Sequence, residues 1–174
     1  MAETMASPVA LRWAAPAVRL MVRADTHAAA TVGLALGVLL GTVPCRVVVT
    51  RGRSALWLGP DEWLLLAPPH DHALADTVMT VPASAVDVSH GYLGLEVSGR
   101  RAAWCINAFN PLDLDAPAFP VGACTRTVFG KAGIVLWRTE TEAFRVEVAR
   151  SLAPYVVQCL DAARREFLPP DNAC

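Results

Sequence analysis

The sequence predicts an α+β domain of two similar halves, each reading β-α-β-β-β-α, with antiparallel or mixed sheets and helices packed outside. Three observations predict it. Short runs with period-two alternation or β-branched content, such as Val18–Ala24, Cys45–Thr50 and Cys124–Phe129, recur along the chain. Turns rich in Gly, Pro and Asp punctuate them. Helical patterns then interrupt the strands in the same order twice, which favours sheets covered by helices on one side. The two halves share pattern and little residue identity.

Residues 1–16 hold Pro8 and Pro16 and little periodicity, so they are expected to form an arm, with Leu11 and Trp13 able to pin it to a surface. A first half is expected over about 17–80. Its strand Val18–Ala24 sets Val18, Leu20 and Val22 against Arg19 and Arg23. Asp25 or Thr26 then caps a helix from about His27 to Leu40, where Gly33, Gly37 and Gly41 line up one smooth face. Cys45–Thr50 follows as a strand. Ala55–Leu58 and Trp63–Ala67 form a hairpin around Gly59-Pro60-Asp61-Glu62, and a helix runs through Ala73–Met79 after Pro68-Pro69. The second half, about 84–168, repeats this order: strand Tyr92–Val97, helix Arg100–Phe109, a Pro-rich link, then strands Cys124–Phe129, Ile134–Arg138 and Phe144–Ala149. Ser151 is expected to cap a last helix, Leu152–Arg165, with an apolar face from Leu152 to Ala163. Residues 169–174 form a tail.

At 174 residues the chain is one domain with room for a substantial core. It is unusually apolar, at 54% hydrophobic and 18% charged residues, against about 45–50% and about 25% in ordinary domains. Either the interior is generously filled or another chain covers a large patch. The net charge of −1 argues against nucleic acid as a partner. Charge is nevertheless segregated: +4 over residues 1–60, −6 over 61–99 and +1 over 100–174. Fourteen of the fifteen basic residues are Arg, which suits desolvated pairing at an interface and also suits a GC-rich genome. The five cysteines are odd in number and form no CxxC pair; Cys45, Cys105, Cys124 and Cys159 sit in apolar runs, as free thiols of a reducing cytosol do. Ala28–Leu40 is too short to span a membrane. A cytoplasmic location is therefore expected.

Catalytic templates are absent. The chain has no GxSxG, Walker, GxGxxG or HExxH motif, and Gly130-Lys131-Ala132-Gly133 reads as a hairpin turn. His70-Asp71-His72 offers two imidazoles one residue apart, with His90 or Asp87 as distant further ligands, and reads first as a solvated loop. Asp87 and His90 form a candidate acid/base pair, although Asp87-Val88-Ser89 suits the end of a strand and a turn cap. Asp113 and Asp115 read as caps. Cys124, with Arg126 on the same strand face, lacks a neighbouring base. No catalytic, cofactor-binding or metal-binding residue is therefore assigned to this chain.

From Ala55 onward a series of motifs carries a resemblance. Ala55-Leu56-Trp57-Leu58-Gly59-Pro60-Asp61-Glu62-Trp63-Leu64-Leu65-Leu66 comes first. Val86-Asp87-Val88-Ser89, Leu95-Glu96-Val97-Ser98-Gly99, Pro111-Leu112-Asp113-Leu114 and Ala118-Phe119-Pro120-Val121-Gly122 follow in order. Lys131–Arg138 (KAGIVLWR), Phe144-Arg145-Val146 and Arg150-Ser151-Leu152-Ala153-Pro154-Tyr155 complete the series. Over roughly residues 18–165 the chain resembles the gamma-subunit family of heterotetrameric sarcosine oxidases. The resemblance implies a non-catalytic subunit acting in assembly and stability beside alpha, beta and delta subunits. It also implies that FAD, FMN, NAD, zinc and a tetrahydrofolate site belong to those partners, which carry out oxidative demethylation of sarcosine to glycine. A fold similar to the folate-binding domain of aminomethyltransferases is implied too.

Two other readings compete. A folate-like ligand module needs a carboxylate facing an aromatic wall, for which Glu96 and Asp87 with Trp104 or Tyr92 are the nearby candidates. A self-sufficient enzyme would rest on metal at His70 and His72. An uncovered apolar patch would also make the isolated chain self-associate.

Overall fold

The computed structural model describes residues 8–25, 27–71, 74, 77 and 83–167. The chain order is β1 (Ala10–Trp13), β2 (Val18–Arg23), α1 (Ala29–Ala35), β3 (Val47–Thr50), β4 (Arg53–Gly59), β5 (Glu62–Ala67), β6 (Ser84–Asp87), β7 (Tyr92–Ser98), α2 (Ala102–Asn107), β8 (Cys124–Phe129), β9 (Ala132–Glu140), β10 (Ala143–Ala149) and α3 (Ala153–Arg164), closed by a 3-10 turn at Arg165–Phe167. The expected helix through Ala73–Met79 lies outside the described residues except for Leu74 and Thr77, as does the tail.

The strands form two five-stranded sheets, ordered β3-β4-β5-β2-β6 and β1-β7-β10-β9-β8. Every strand pairing in them is antiparallel. The two orders carry the same pattern: β2-β5-β4-β3 in one half repeats as β7-β10-β9-β8 in the other. The fifth strands are exchanged. β1, which precedes the first half, pairs with β7, and β6, which precedes the second half, pairs with β2. Residues 10–13 are thus an edge strand and not the arm that local composition suggested. Their partner lies some eighty positions away, and period-two patterning says nothing about partners at that range.

The core has three parts. Leu95, Val97, Ile134, Leu136, Phe144, Val146 and Val148 of the second sheet pack under α2 and α3. Leu20, Val22, Trp63 and Leu65 of the first sheet pack under Val32 and Leu36. A thinner cluster of Leu56, Leu64, Leu66, Cys124 and Val135 lies between the sheets. The layers therefore run helix, sheet, sheet, helix, with both faces of each sheet covered. That arrangement corrects the half-buried reading of β2: Arg19 points away from the α1 side, yet is only 4% exposed because a second sheet covers it.

Helix α1 is shorter than expected. Asp25 Oδ1 accepts the Ala28 N–H at 2.7 Å ahead of it, as a cap should. At its other end Gly37 takes φ +61°. Val38 N–H bonds Gly33 O at 3.0 Å and Gly37 N–H bonds Leu34 O at 3.1 Å, the paired bonds of a Schellman stop. The glycines at 33, 37 and 41 consequently do not share a helix face. Ser151 is likewise not the cap of α3, whose N-terminal boundary is Leu152, without a side-chain cap bond.

One glycine fixes the exchanged strand. Gly99 has φ +116°, and a Cβ there would stand 2.5 Å from Pro8 O. Pro8 O also accepts the Arg101 N–H at 3.2 Å. Gly99→Ala is expected to cost about 1–3 kcal/mol, through backbone strain and displacement of the segment leading into β1. Thermal unfolding of the variant, with amide exchange of residues 10–13, checks this; unchanged protection of β1 would refute it.

Candidate functional site

A concavity of about 520 Å³ opens where the β1–β2 link, the β6–β7 turn and the β10–α3 turn meet. Ser89 Oγ accepts the Arg19 N–H at 2.8 Å. Asp87 Oδ1 accepts the Ser89 N–H at 2.8 Å. The Ser89 hydroxyl and then its amide hold the Asp87 carboxyl below its ordinary range. Arg150 Nε donates to His90 O at 2.8 Å. Tyr92 and Trp13 supply aromatic wall. Asp87 thus caps its own turn, and His90 is an exposed neighbour whose backbone carbonyl is the engaged group.

The remaining candidates scatter. Glu96 lines a different concavity with Trp137 and Arg145, on the opposite face of β7 from Leu95 and Val97, which pack under the helices. Trp104 is on α2, beside Phe167. Of the four folate-module candidates the fold brings together Asp87 and Tyr92 only. His70 is exposed, while Asp71 receives Arg53 Nε at 2.6 Å and Nη2 at 2.7 Å, and His72 lies outside the described residues. Among the described residues no group of three or more His, Cys, Asp or Glu converges as metal ligands. The Asp113 carboxylate accepts the Asp115 N–H at 2.9 Å, a local cap as expected. Cys124 is fully buried, and burial pushes its thiol up to about 12; a thiol held that high is a poor nucleophile at neutral pH.

Sequence reasoning missed the polar groups between the sheets. Glu147 of β10, fully buried, receives Arg19 Nε of β2 at 2.6 Å and Arg145 Nε at 2.7 Å. Glu62 of β5 receives Arg126 Nη2 of β8 at 2.7 Å and Arg23 Nη2 of β2 at 3.2 Å. Each Arg-Glu-Arg group straddles both sheets. A carboxylate inside the apolar strand Phe144–Ala149 was the signal available for the first. Sheet ends are joined as well: Arg46 bridges Ala123, Cys124 N–H reaches Cys45 O at 2.9 Å and Val47 N–H reaches Gly122 O at 2.9 Å.

Glu62 makes a pH prediction. Hydrogen bonding from Arg126, followed by the charges of Arg126 and Arg23, holds its carboxyl below the ordinary 4.5 against the opposing effect of burial. A depressed folded value adds stability that is present above the unfolded value and is lost as pH falls through the folded one. Urea midpoints should therefore fall below about pH 4.5, and Glu62→Gln should flatten that acid limb. An acid limb identical in the variant would show that Glu62 does not carry it.

With the geometry in place, the comparisons decide the family. The description "Sarcosine oxidase, gamma subunit family" matches residues 20–166. The chain belongs to the sarcosine oxidase gamma subunit family. Among similar gamma subunits, "Sarcosine oxidase subunit gamma" of Arthrobacter sp is 32% identical over 176 aligned positions, 97% of this chain and 86% of that protein. The gamma subunit of Corynebacterium sp. (strain P-1) is 32% identical over 135 positions, covering 76% of this chain and 63% of that one. The match therefore spans less than two thirds of the second relative's length. A chain of "Heterotetrameric Sarcosine Oxidase from Corynebacterium sp. U-96 in complex with pyrrole 2-carboxylate" superposes with TM-score 0.87 at 31% identity, over 95% of this chain and 88% of that one. The gamma-subunit fold is shared more distantly by the glycine cleavage system aminomethyltransferase T of Bartonella henselae, TM-score 0.64 at 12% identity over 92% of this chain and half of that one. At that identity the likeness is one of fold alone.

Proposed function

We propose that this chain is the gamma subunit of a heterotetrameric sarcosine oxidase and acts in assembly and stability of the complex. The observation that carries the proposal is the match, over 95% of the chain, to a chain of the Corynebacterium enzyme. On this reading the alpha, beta and delta partners hold FAD, FMN, NAD and zinc and oxidise sarcosine to glycine, in the cytoplasm. Support comes from how the chain spends its polar groups. Its buried carboxylates Glu147 and Glu62 are taken up by arginines across the sheet interface, while large apolar side chains such as Leu34 and Trp104 stay in solvent. Exposed Trp is among the residue types enriched where proteins meet. No helix among the described residues is long and apolar enough to cross a membrane.

Co-expression with the other three subunits tests the proposal. The tagged chain should retain them through size exclusion, and omitting it should lower the yield of intact, active oxidase. A chain that elutes alone while the other three assemble fully would overturn it. A second reading, a folate-like ligand module, draws on the concavity that brings Asp87 beside Tyr92. Calorimetry with tetrahydrofolate decides it: no heat at millimolar ligand removes it.

A further inference from the structure

We propose that Arg101, Trp104 and Phe167 form the platform on which this chain docks an acidic segment of a partner subunit, an inference that rests on the gamma-subunit reading above. The platform stands at one end of the helical layer over the second sheet. The Arg101 guanidinium carbon lies 5.4 Å from the Trp104 ring centroid and 5.7 Å from that of Phe167. Trp104 is 64% exposed, in contrast to Trp63, whose ring is fully enclosed and whose indole N–H is bonded. Beside it lies a groove of about 300 Å³ lined by Asn107, Ala108, Ala163 and Glu166. A solvent-facing Trp stacked on Arg beside a small groove has the residue types that dominate binding at protein interfaces.

Charge says what kind of surface fits. Arg100, Arg101, Arg164 and Arg165 lie on or beside α2 and the end of α3, against Asp161 and Glu166. Asp161 is shared by Arg164, at 2.5 Å, and Arg165, at 3.3 Å. Arg164 Nε is buried without an acceptor. Arg100 is exposed and makes no ion pair or hydrogen bond among the described residues. The local excess of two positive charges contrasts with a chain whose net charge is −1. It calls for carboxylates from outside, placed around an apolar contact that covers the Trp104 ring. The occupant is therefore an acidic, aromatic-compatible segment of a partner subunit and not a second copy docking the same cationic patch on itself.

The test uses the co-expressed oxidase. Trp104→Ser and Arg100→Glu are each made in the full chain, and the fraction retained with the other subunits is followed at rising salt. Each variant is expected to weaken assembly ~10-fold or more, and wild-type retention is expected to fall as salt rises. The thermal midpoint of each isolated variant should stay at the wild-type value. Arg100→Glu keeps the proposal testable if Trp104→Ser fails to fold. Wild-type retention by both variants would overturn the platform while leaving the gamma-subunit reading intact. A wild-type chain that never joins the complex would overturn that reading and the platform together. An isolated chain that dimerises, with the dimer lost in Trp104→Ser, would assign the platform to a second copy and overturn the partner named here.

Discussion

Glu147→Ala is expected to lower stability by about 3–5 kcal/mol, because it leaves the buried Arg19 guanidinium and the half-buried Arg145 guanidinium without their carboxylate. For a chain of this length that corresponds to a drop of roughly 6–20 °C in Tm. Glu147 is fully buried between the sheets and takes Arg19 Nε at 2.6 Å and Arg145 Nε at 2.7 Å. Arg145 Nη2 is already buried without an acceptor, and Arg19 Nη1 has only the Ala17 carbonyl at 3.0 Å. The backbone also closes on the group: a Cβ at Gly94 would stand 2.8 Å from Glu147 Oε1. The pair itself need not stabilise the fold, since replacing a buried ion pair by well-packed apolar groups is often neutral. Hence Arg19→Met with Glu147→Met should cost less than Glu147→Ala alone. Chemical denaturation of both decides the matter. A Glu147→Ala loss below about 1 kcal/mol would mean that water reaches the arginines.

Much of the second half was legible because its signals are local. The strand at Cys124–Phe129 appears at the positions that alternation gave, and the last helix at Ala153–Arg164 differs from expectation by one residue at each end. What local signals omit is the partner. Val18–Arg23 alternates whether its second face meets water or a second sheet, so Arg19 could not be placed until the other sheet was. Exchange of β1 and β6 between the halves is equally silent, since edge strands of four residues carry too little pattern to name a mate. The glycines at 33, 37 and 41 misled for a related reason. Four-residue spacing predicts a face only while the helix continues, and Gly37 is the residue that stops it. At the candidate site, Asp87 and Tyr92 meet because a tight turn joins their strands. Glu96 shares a face of β7 with Tyr92 but stands four residues farther along the strand, about 13 Å at the usual strand rise, and Trp104 is carried off onto α2, so each lines a separate concavity. The asparagine and arginine that fasten the Pro-rich link had no local signature either: Asn110 Nδ2 bonds Val128 O at 2.7 Å, and Arg138 Nη1 bonds Phe119 O at 2.8 Å and Leu114 O at 3.0 Å.

Trp63→Ala is expected to cost about 3–5 kcal/mol, as truncation of a large aromatic in a packed core does. The ring is fully buried with Leu20, Val22, Leu36 and Leu65 beneath α1. Its Nε1–H donates to Gly41 O at 2.8 Å, which ties the α1–β3 connection to the sheet. That connection sits close: a Cβ at Gly41 would stand 2.8 Å from Val48 Cγ2. Trp63→Phe separates the two contributions. It keeps most of the apolar contact and leaves Gly41 O unpaired, so about 1–2 kcal/mol is expected from the lost hydrogen bond and the smaller ring. Phe144 gives an internal comparison, because it is likewise the second residue of its strand and opposes Arg138 as Trp63 opposes Trp57. Phe144 needs no polar partner; the Arg138 guanidinium instead lies 5.0 Å from its ring centroid. Phe144→Ala should therefore approach Trp63→Ala in cost, and no phenylalanine-for-tryptophan step is available there to soften it. Denaturant midpoints of the three variants separate the cases. If Trp63→Phe loses as much as Trp63→Ala, the hydrogen bond to Gly41 holds this half together; if neither loses more than about 1 kcal/mol, the ring is not a keystone of the first sheet.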